Sequence, residues 1–356
     1  MTNKRLSEFR KHLKEKGIDA ALISNDFNRN YLTGFTGDES YILITEQKAY
    51  FITDSRYTQQ AKNEVQGYEI LEYAHPFEDF LNKLLVENKV LSLGIEEDYI
   101  TLKTYEIYTD KFTTVKLKKL ESLTEKLRLI KDDEEIEIIT KAANIADKAF
   151  SHILLFIKAG VREIDVATEL EGYMKSLGSS GVSFETIVAS GKRSSQPHGV
   201  ASDKIIEDGD FVTLDFGCKY KGYCSDMTRT IVIGKATDLQ KKIYNLVLNA
   251  NEEALKNIRP GIKCSELDSI ARGIITKGGY GKEFGHGLGH GVGREIHEKP
   301  RVSPKGMDTL TKGMIITDEP GIYIEGFGGV RIEDLVLVTD KGYRVLSNSP
   351  KSLIEL

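Results

Sequence analysis

The sequence predicts an α/β chain of two domains: a mixed α/β domain over residues 1–122 and an α+β domain over residues 123–356, the latter built from two similar halves. Three observations predict this. The chain has 356 residues, twice or more the usual size of one domain, so each part can bury its own core. Strand-like and helix-like segments alternate up to about residue 122, and a long amphipathic helix follows. Within the second part, IKAGVREIDVATELEGYMKSLG from Ile157 matches IRPGIKCSELDSIARGIITKGG from Ile258 without gaps, with Gly160, Gly172 and Gly178 against Gly261, Gly273 and Gly279. Two similar halves imply a pseudo-twofold domain whose site lies at their junction.

Taken in order, Leu6, Phe9 and Leu13 recur at helical spacing among charges, predicting a surface helix that stops at Gly17. IDAALIS, YILIT, AYFITD and YEILEY are rich in strand formers, with a helix predicted over residues 59–66 and an amphipathic segment at Phe77 to Leu85. LSLGIEE and TVKLKKL continue the alternation. In the second domain a helix begins at Asp132 or Asp133, which can cap it, and is predicted to run to Gly160. A helix over residues 163–177, strands at ETIVAS, DFVTLDFGCKY and YCSDMTRTIVIG, and a helix over 238–257 complete a pattern of helix pairs laid over antiparallel strands.

Composition narrows the function. Apolar residues make up 40% and charged residues 29%, as in a folded globular chain, and 49 Lys plus Arg against 54 Asp plus Glu give a net charge of −5. Basic runs do not exceed clusters such as Lys116, Lys118 and Lys119, so nucleic acid is not an expected partner. The longest apolar stretches, such as Ile153 to Ile157, fall far short of the roughly 20 residues of a membrane span, and MTNKRLSEFRKHLKEKG has no apolar h-region. Cys218, Cys224 and Cys264 are too few and odd in number for a disulfide framework, and reduced, packed thiols in a cytoplasmic protein are expected.

The chemistry gathers in a few segments. Asp215 in FVTLDFGCKY and Asp226 in YCSDMTRT flank a turn near Tyr220 to Gly222, and a two-residue loop would set them opposite or diagonal on one face of a hairpin. Two like charges side by side need a cation, a shared proton or water; the alternative is that they cap a turn or face solvent. Gly285, Gly287, Gly289, Gly291 and Gly293 fall on every second residue, which in a strand leaves one face open to close approach and turns His286 and His290 to the other. Of seven histidines, His286, His290 and His297 lie within twelve residues. Glu319 precedes a Pro-Gly break, and Arg331 and Glu333 alternate with Val330, Ile332 and Leu335 on one expected strand, where an arginine–carboxylate pair is the alternative reading. Two Asp, one His and two Glu bring four negative charges and one imidazole, which match two divalent ions in an oxygen-rich dinuclear centre.

The series LDFGCKYKGYCSD, HGLGHGVGREIHE, TDEPGIY and GGVRIED, with QPHG at 196–199, resembles the pita-bread metallopeptidases, and among them the Xaa-Pro peptidases, prolidase and aminopeptidase P. YLTGFTG at 31–37 and FITDSRY at 51–57 are similar to the non-catalytic creatinase/prolidase-type N-terminal domain of those enzymes. The resemblance covers almost the whole chain. It implies a pita-bread catalytic domain in which Asp215, Asp226, His290, Glu319 and Glu333 hold two divalent metal ions, with Asp226 and Glu333 bridging; Mn²⁺ is expected, with Co²⁺ or Zn²⁺ as substitutes. His198, His297 and Arg331 would face substrate, Glu319 would relay a proton, and His286 would line the pocket. Arg294 and Asp318 depart from the family pattern, and altered subsite charge or metal affinity is expected from them.

Two ions roughly 3.5–4 Å apart can hold a bridging water and present hydroxide to a carbonyl, so no Ser or Cys nucleophile is required. The implied reaction is metal-dependent hydrolysis of the N-terminal Xaa-Pro bond of short proline-containing peptides by a homodimer, with the N-terminal domain limiting peptide length. An aminopeptidase P acting on longer peptides is the alternative. A methionine aminopeptidase would not need the first domain, and a partner-binding relative or a metal-free creatinase-like hydrolase would not need all five donors.

Overall fold

The computed structural model describes residues 2–356, which form two compact units divided between Arg128 and Leu129. The first contains α1 (Thr2–Glu15), β1 (Ala20–Ile23), α2 (Asp26–Thr33), β2 (Tyr41–Thr45), β3 (Ala49–Thr53), α3 (Thr58–Glu64), β4 (Glu69–Glu72), α4 (Phe77–Glu87), β5 (Ser92–Ile95), α5 (Leu102–Lys111), β6 (Lys116–Lys119) and α6 (Leu123–Arg128). Its six strands form one mixed sheet in the order β4-β3-β2-β1-β5-β6. Both faces are covered, which is why β1 is apolar at every residue: Ala21 and Ile23 enter a core with Phe9 and Leu32, whereas Ala20 and Leu22 enter another with Leu81 and Leu85. Residues 123–128, expected in the second domain, form α6 and pack here, with Leu123 beside Leu6 and Phe9 in that first core. Helix α2 was not foreseen from its polar sequence. Its caps hold it: Asn25 accepts from the backbone N–H of Phe27 at 2.8 Å, and Gly34 closes the other end with φ of 79°.

The second unit contains α7 (Asp133–Ile153), α8 (Glu163–Ser176), β7 (Gly181–Val182), β8 (Ile187–Ser190), β9 (Phe211–Phe216), β10 (Cys218–Tyr220), β11 (Tyr223–Cys224), β12 (Met227–Val232), α9 (Asp238–Asn257) and α10 (Cys264–Lys277). Short strands follow: β13 (Gly289–Gly291), β14 (Glu298–Val302), β15 (Ile315–Asp318), β16 (Gly321–Ile324), β17 (Gly328–Arg331), β18 (Asp334–Val338) and β19 (Tyr343–Val345). Asp132 caps α7 through a reciprocal capping box with Glu135, but the helix stops at Ile153 rather than Gly160. There the backbone tightens, Phe156 N–H donating to Ile153 O at 3.0 Å, and Gly160 serves instead as a left-handed corner before α8.

The internal repeat is structural. Helices α8 and α10 are each 14 residues long, Gly160 and Gly261 take φ of 93° and 91°, and Gly178 and Gly279 take 97° and 92°. Gly160 N–H donates to Ile206 O and Gly261 N–H to Leu310 O, both at 2.9 Å. Helices α7 and α8 cover the antiparallel set β8-β9-β12, while α9 and α10 cover the set β13-β15-β18. Each half thus lays a helix pair on three strands, as expected.

The hairpin of β9 to β12 turns through Lys221 and Gly222, both with positive φ, as a two-residue hairpin loop favours. One register runs throughout: Tyr220 opposes Tyr223 and Asp215 opposes Thr228. Asp226 is therefore diagonal to Asp215 and on the same face. At Gly217 the strands approach so closely that a Cβ would lie 1.9 Å from Ser225 O. Gly217→Ala should therefore destabilise the protein by about 3 kcal/mol or more, measured by denaturant unfolding, and a variant as stable as the parent would contradict this packing.

Candidate metal centre

The pseudo-twofold fold brings four carboxylates together from matching places. Asp215 lies near the end of β9 and Glu319 just after β15; Asp226 immediately precedes β12 and Glu333 immediately precedes β18. The expected single strand carrying Arg331 and Glu333 is broken at Ile332. That break lets β17 pair with β16 while β18 pairs with β15, and both charged side chains still reach one cleft.

His290 comes from β13, far shorter than the strand expected over residues 285–293. The alternating glycines serve close packing as predicted, most tightly at Gly289, where a Cβ would lie 2.2 Å from Thr317 O, and at Gly291, where it would meet Lys299 O at 2.1 Å. A bulge between His290 and Gly291 ends the regular pairing. His290 Nδ1 lies 3.1 Å from Gly291 O, so it carries the proton and leaves the Nε2 lone pair facing the carboxylates. Nε2 is 3.6 Å from Asp226 Oδ2 and 3.4 Å from Glu319 Oε1.

Donor atoms of Asp226, His290 and Glu333 all lie within 4.8 Å of one another, and the three side chains are buried. At an effective dielectric constant near 20, two unit charges at that separation repel by about 3 kcal/mol. Burial, reinforced by the neighbouring carboxylates, holds Asp226 and Glu333 well above the usual carboxylate range and raises Glu319. Burial lowers His290 in the opposite sense and keeps it neutral. Asp215 Oδ1 is buried with no hydrogen-bond partner among the described residues, while Oδ2 accepts from Arg331 Nη2 at 2.5 Å. An unsatisfied carboxylate oxygen, mutually repelling acids and a neutral imidazole form a donor set that fits hard divalent cations.

The supporting contacts fix these side chains. Thr228 Oγ1 donates to Glu333 Oε2 at 2.6 Å, and Thr317 Oγ1 donates to Glu319 Oε1 at 2.9 Å. Arg331, whose pairing with a carboxylate was the alternative reading, joins Asp215 and not Glu333, and also donates to Tyr323 Oη at 2.8 Å and Pro197 O at 3.2 Å. His286 Nε2 meets the same hydroxyl at 2.9 Å, so His286 is held at the wall of the cleft. His198 and His297 stand exposed on a cleft of about 810 Å³ that also reaches Asp215, Asp226, His290, Glu319 and Glu333. Burial and the adjacent His290 push His297 down to about 4.

Two expectations of altered subsite charge fail. Arg294 is buried, stacks over the Tyr223 ring at 4.2 Å and does not line the cleft. Asp318, on the opposite side of its strand from Glu319, is buried against Asn251 Nδ2 at 3.3 Å. Neither contributes charge to the cleft wall. The three cysteines are free and buried as expected, and burial pushes the thiols of Cys218 and Cys224 up to about 11. Sequence reasoning missed Arg301, exposed on the cleft directly across the strand pair from His290. Its only signal was that pairing, which the sequence does not display.

The pattern of metallopeptidase family M24 matches residues 137–340, and that of the creatinase/prolidase N-terminal domain matches residues 5–130. The chain is 42% identical to a Xaa-Pro dipeptidase of Pyrococcus horikoshii, across 99% of both chains. Among solved structures, the Xaa-Pro dipeptidase from Bacillus anthracis is 47% identical with a TM-score of 0.98 over 100% of both chains. The X-Pro aminopeptidase from Thermotoga maritima is 41% identical with a TM-score of 0.91, covering 96% of this chain and 98% of that one.

Removing a shared charge should cost metal, whereas removing an exposed histidine should not. Asp226→Asn is expected to lower the metal bound per chain, counted by elemental analysis after gel filtration, while His198→Ala and His297→Ala keep the parent's content. Equal loss in all three would contradict this division of roles.

Proposed function

We infer that this chain, which belongs to metallopeptidase family M24, hydrolyses the bond between an N-terminal residue and a following proline, with Xaa-Pro dipeptides as preferred substrates. The convergence of Asp226, His290 and Glu333 at the floor of one cleft carries the metal-dependent part of this reading. Relatives named Xaa-Pro dipeptidase that span the whole chain support the substrate class. Asp215, Asp226, His290, Glu319 and Glu333 would hold two divalent ions, which when bound supply Lewis acidity and acidify the water nucleophile. The oxygen-rich donor set favours Mn²⁺ over Zn²⁺, with Co²⁺ as a substitute. A homodimer belongs to this reading through the family resemblance, and a cytoplasmic location through the cysteine usage; among the described residues no helix is long and apolar enough to cross a membrane.

The chain's own residues then divide the work. Glu319, held by Thr317 yet still partly open to the cleft, takes up the proton of the attacking water and returns it to the leaving nitrogen. His198 and His297 donate hydrogen bonds to the oxyanion; with its pKa near 4, His297 is neutral at pH 7 and offers an N–H without losing its proton. Arg331 fixes Asp215 and restrains the backbone at Pro197 beside His198.

Proline brings a ring and no N–H, so it asks for apolar contact and no backbone acceptor. Phe184, Ile187, Val200 and Ile296 flank the cleft and supply that contact. The exposed guanidinium of Arg301 complements a free carboxylate directly after proline, which only a dipeptide presents there. Aminopeptidase action on longer peptides is the second reading, favoured by the likeness to the T. maritima X-Pro aminopeptidase.

Purified protein is expected to cleave Xaa-Pro dipeptides, to lose activity on chelation and to regain it best with Mn²⁺ or Co²⁺; full activity in metal-free buffer would sink the reading. kcat/KM should fall as the peptide lengthens beyond proline. Arg301→Met should lower it about 10–100-fold for dipeptides and little for longer peptides, the loss of one charge-assisted hydrogen bond. A flat or rising length profile would establish the aminopeptidase reading instead.

A further inference from the structure

Between β8 and β9 the chain makes a long excursion through residues 191–210, and His198 sits on its exposed part. Within QPHG, the Pro197 ring and the Gly199 N–H bond to Gln196 O at 3.0 Å shape the turn locally but do not tie it to the body of the domain. The ends of the segment 190–202 are nevertheless gathered onto one fully buried side chain, Glu163, at the first turn of α8. Its Oε1 accepts from Ser190 N at 2.7 Å and Ser190 Oγ at 2.8 Å. Its Oε2 accepts from Ser202 Oγ at 2.6 Å, from Ser202 N at 3.2 Å and from the Arg193 guanidinium. Arg193 in turn donates to Val200 O at 2.8 Å, two residues from His198.

We propose that Glu163 is a positioning residue for His198: its carboxylate ties Ser190, Arg193 and Ser202 together and so fixes the loop that presents the imidazole to the cleft. The proposal rests on the assignment of His198 as the oxyanion donor. All five bonds run toward the carboxylate, so an amide could not replace it; one Oε would become an NH₂ facing donors. The other half of the domain repeats the device. Asp268 on α10, buried, accepts from Leu288 N at 3.0 Å and pairs with Arg272, which donates to Phe284 O at 2.8 Å and His286 O at 2.6 Å on the segment leading to His290. A buried acid and an arginine therefore anchor each histidine-bearing segment to its helix, although the two acids occupy different helical positions.

The test is a double-variant cycle on the metal-loaded enzyme, with amide hydrogen exchange as a second readout. Glu163→Gln should lower kcat about 10²-fold, the scale of a misplaced catalytic group, with KM within about twofold, metal content unchanged and faster exchange confined to residues 190–202. Placed on His198→Ala, it should cause no further loss. Losses that multiply in the double variant, or a parental kcat in folded Glu163→Gln, would overturn the proposal. So would a parental kcat in His198→Ala beside a slowed Glu163→Gln. Should Glu163→Gln not fold, Arg193→Met alters a partly exposed member of the same cluster, and a kcat loss of about 10-fold that vanishes on His198→Ala is expected; a loss that persists there overturns it. A failure of the Xaa-Pro reading would appear in the parent enzyme itself, whereas the exchange measurement reads the anchor independently of substrate, and unchanged exchange would overturn it.

Discussion

Asp226 and Glu333 are buried side by side, each next to the first residue of a strand, and among the described residues no Lys or Arg side chain is bonded to either. Folding must desolvate both carboxylates and hold them close, a cost that protons or cations have to offset. Arg331 pairs with Asp215, so it relieves one edge of the cluster and leaves the central carboxylates without a counter-charge. The rest of the catalytic unit follows from that constraint. Hydroxyls of Thr228 and Thr317 orient Glu333 and Glu319 without adding charge, and His290 is held in the tautomer that turns a lone pair inward. The carboxylates are thereby kept apart from competing partners and available to a divalent ion.

The pseudo-twofold arrangement explains how one chain assembles such a cluster. Each half contributes one acid near the end of a central strand and one just before its neighbour, so both pairs converge where the halves meet. Function resides in the departures from symmetry. One half supplies the imidazole of His290 on a strand stripped of side chains at Gly289 and Gly291, and the other supplies the long loop of His198. A symmetric scaffold thus carries an asymmetric wall that includes Arg331, itself bonded to Tyr323, together with His297 and Arg301.

Much of this was legible in the sequence because it depends on local spacing. The two-residue turn at Lys221 and Gly222 determines the hairpin register, and the register alone puts Asp215 and Asp226 on one face. The glycine-matched repeat located the two halves, and the motif order supplied the candidate donors, of which Asp226, His290 and Glu333 lie within 4.8 Å of one another. What depended on tertiary pairing was not legible. The break at Ile332 arises because β17 and β18 join different sheets, and the stop of α7 at Ile153 occurs without a glycine or proline. Arg301 reaches the cleft only because β14 pairs with β13, and Asp318 avoids it because alternate residues of a strand face opposite ways. Helix α6 joins the first unit through the apolar contact of Leu123, which a boundary drawn where the alternation ends, ahead of the long helix, overlooks.

The central claim is that Asp226 and Glu333 retain protons until divalent cations replace them. Isothermal titration of the metal-free protein with Mn²⁺ at pH 7, in buffers of different ionisation enthalpy, counts the protons released. Because Asp226 and Glu333 are shifted well upward while His290 and His297 are shifted downward, the histidines are already neutral and the released protons come from these two carboxylates. The account predicts net proton release on saturation, abolished in proportion to the lost metal in Asp226→Asn; stoichiometric binding with no proton released would contradict it.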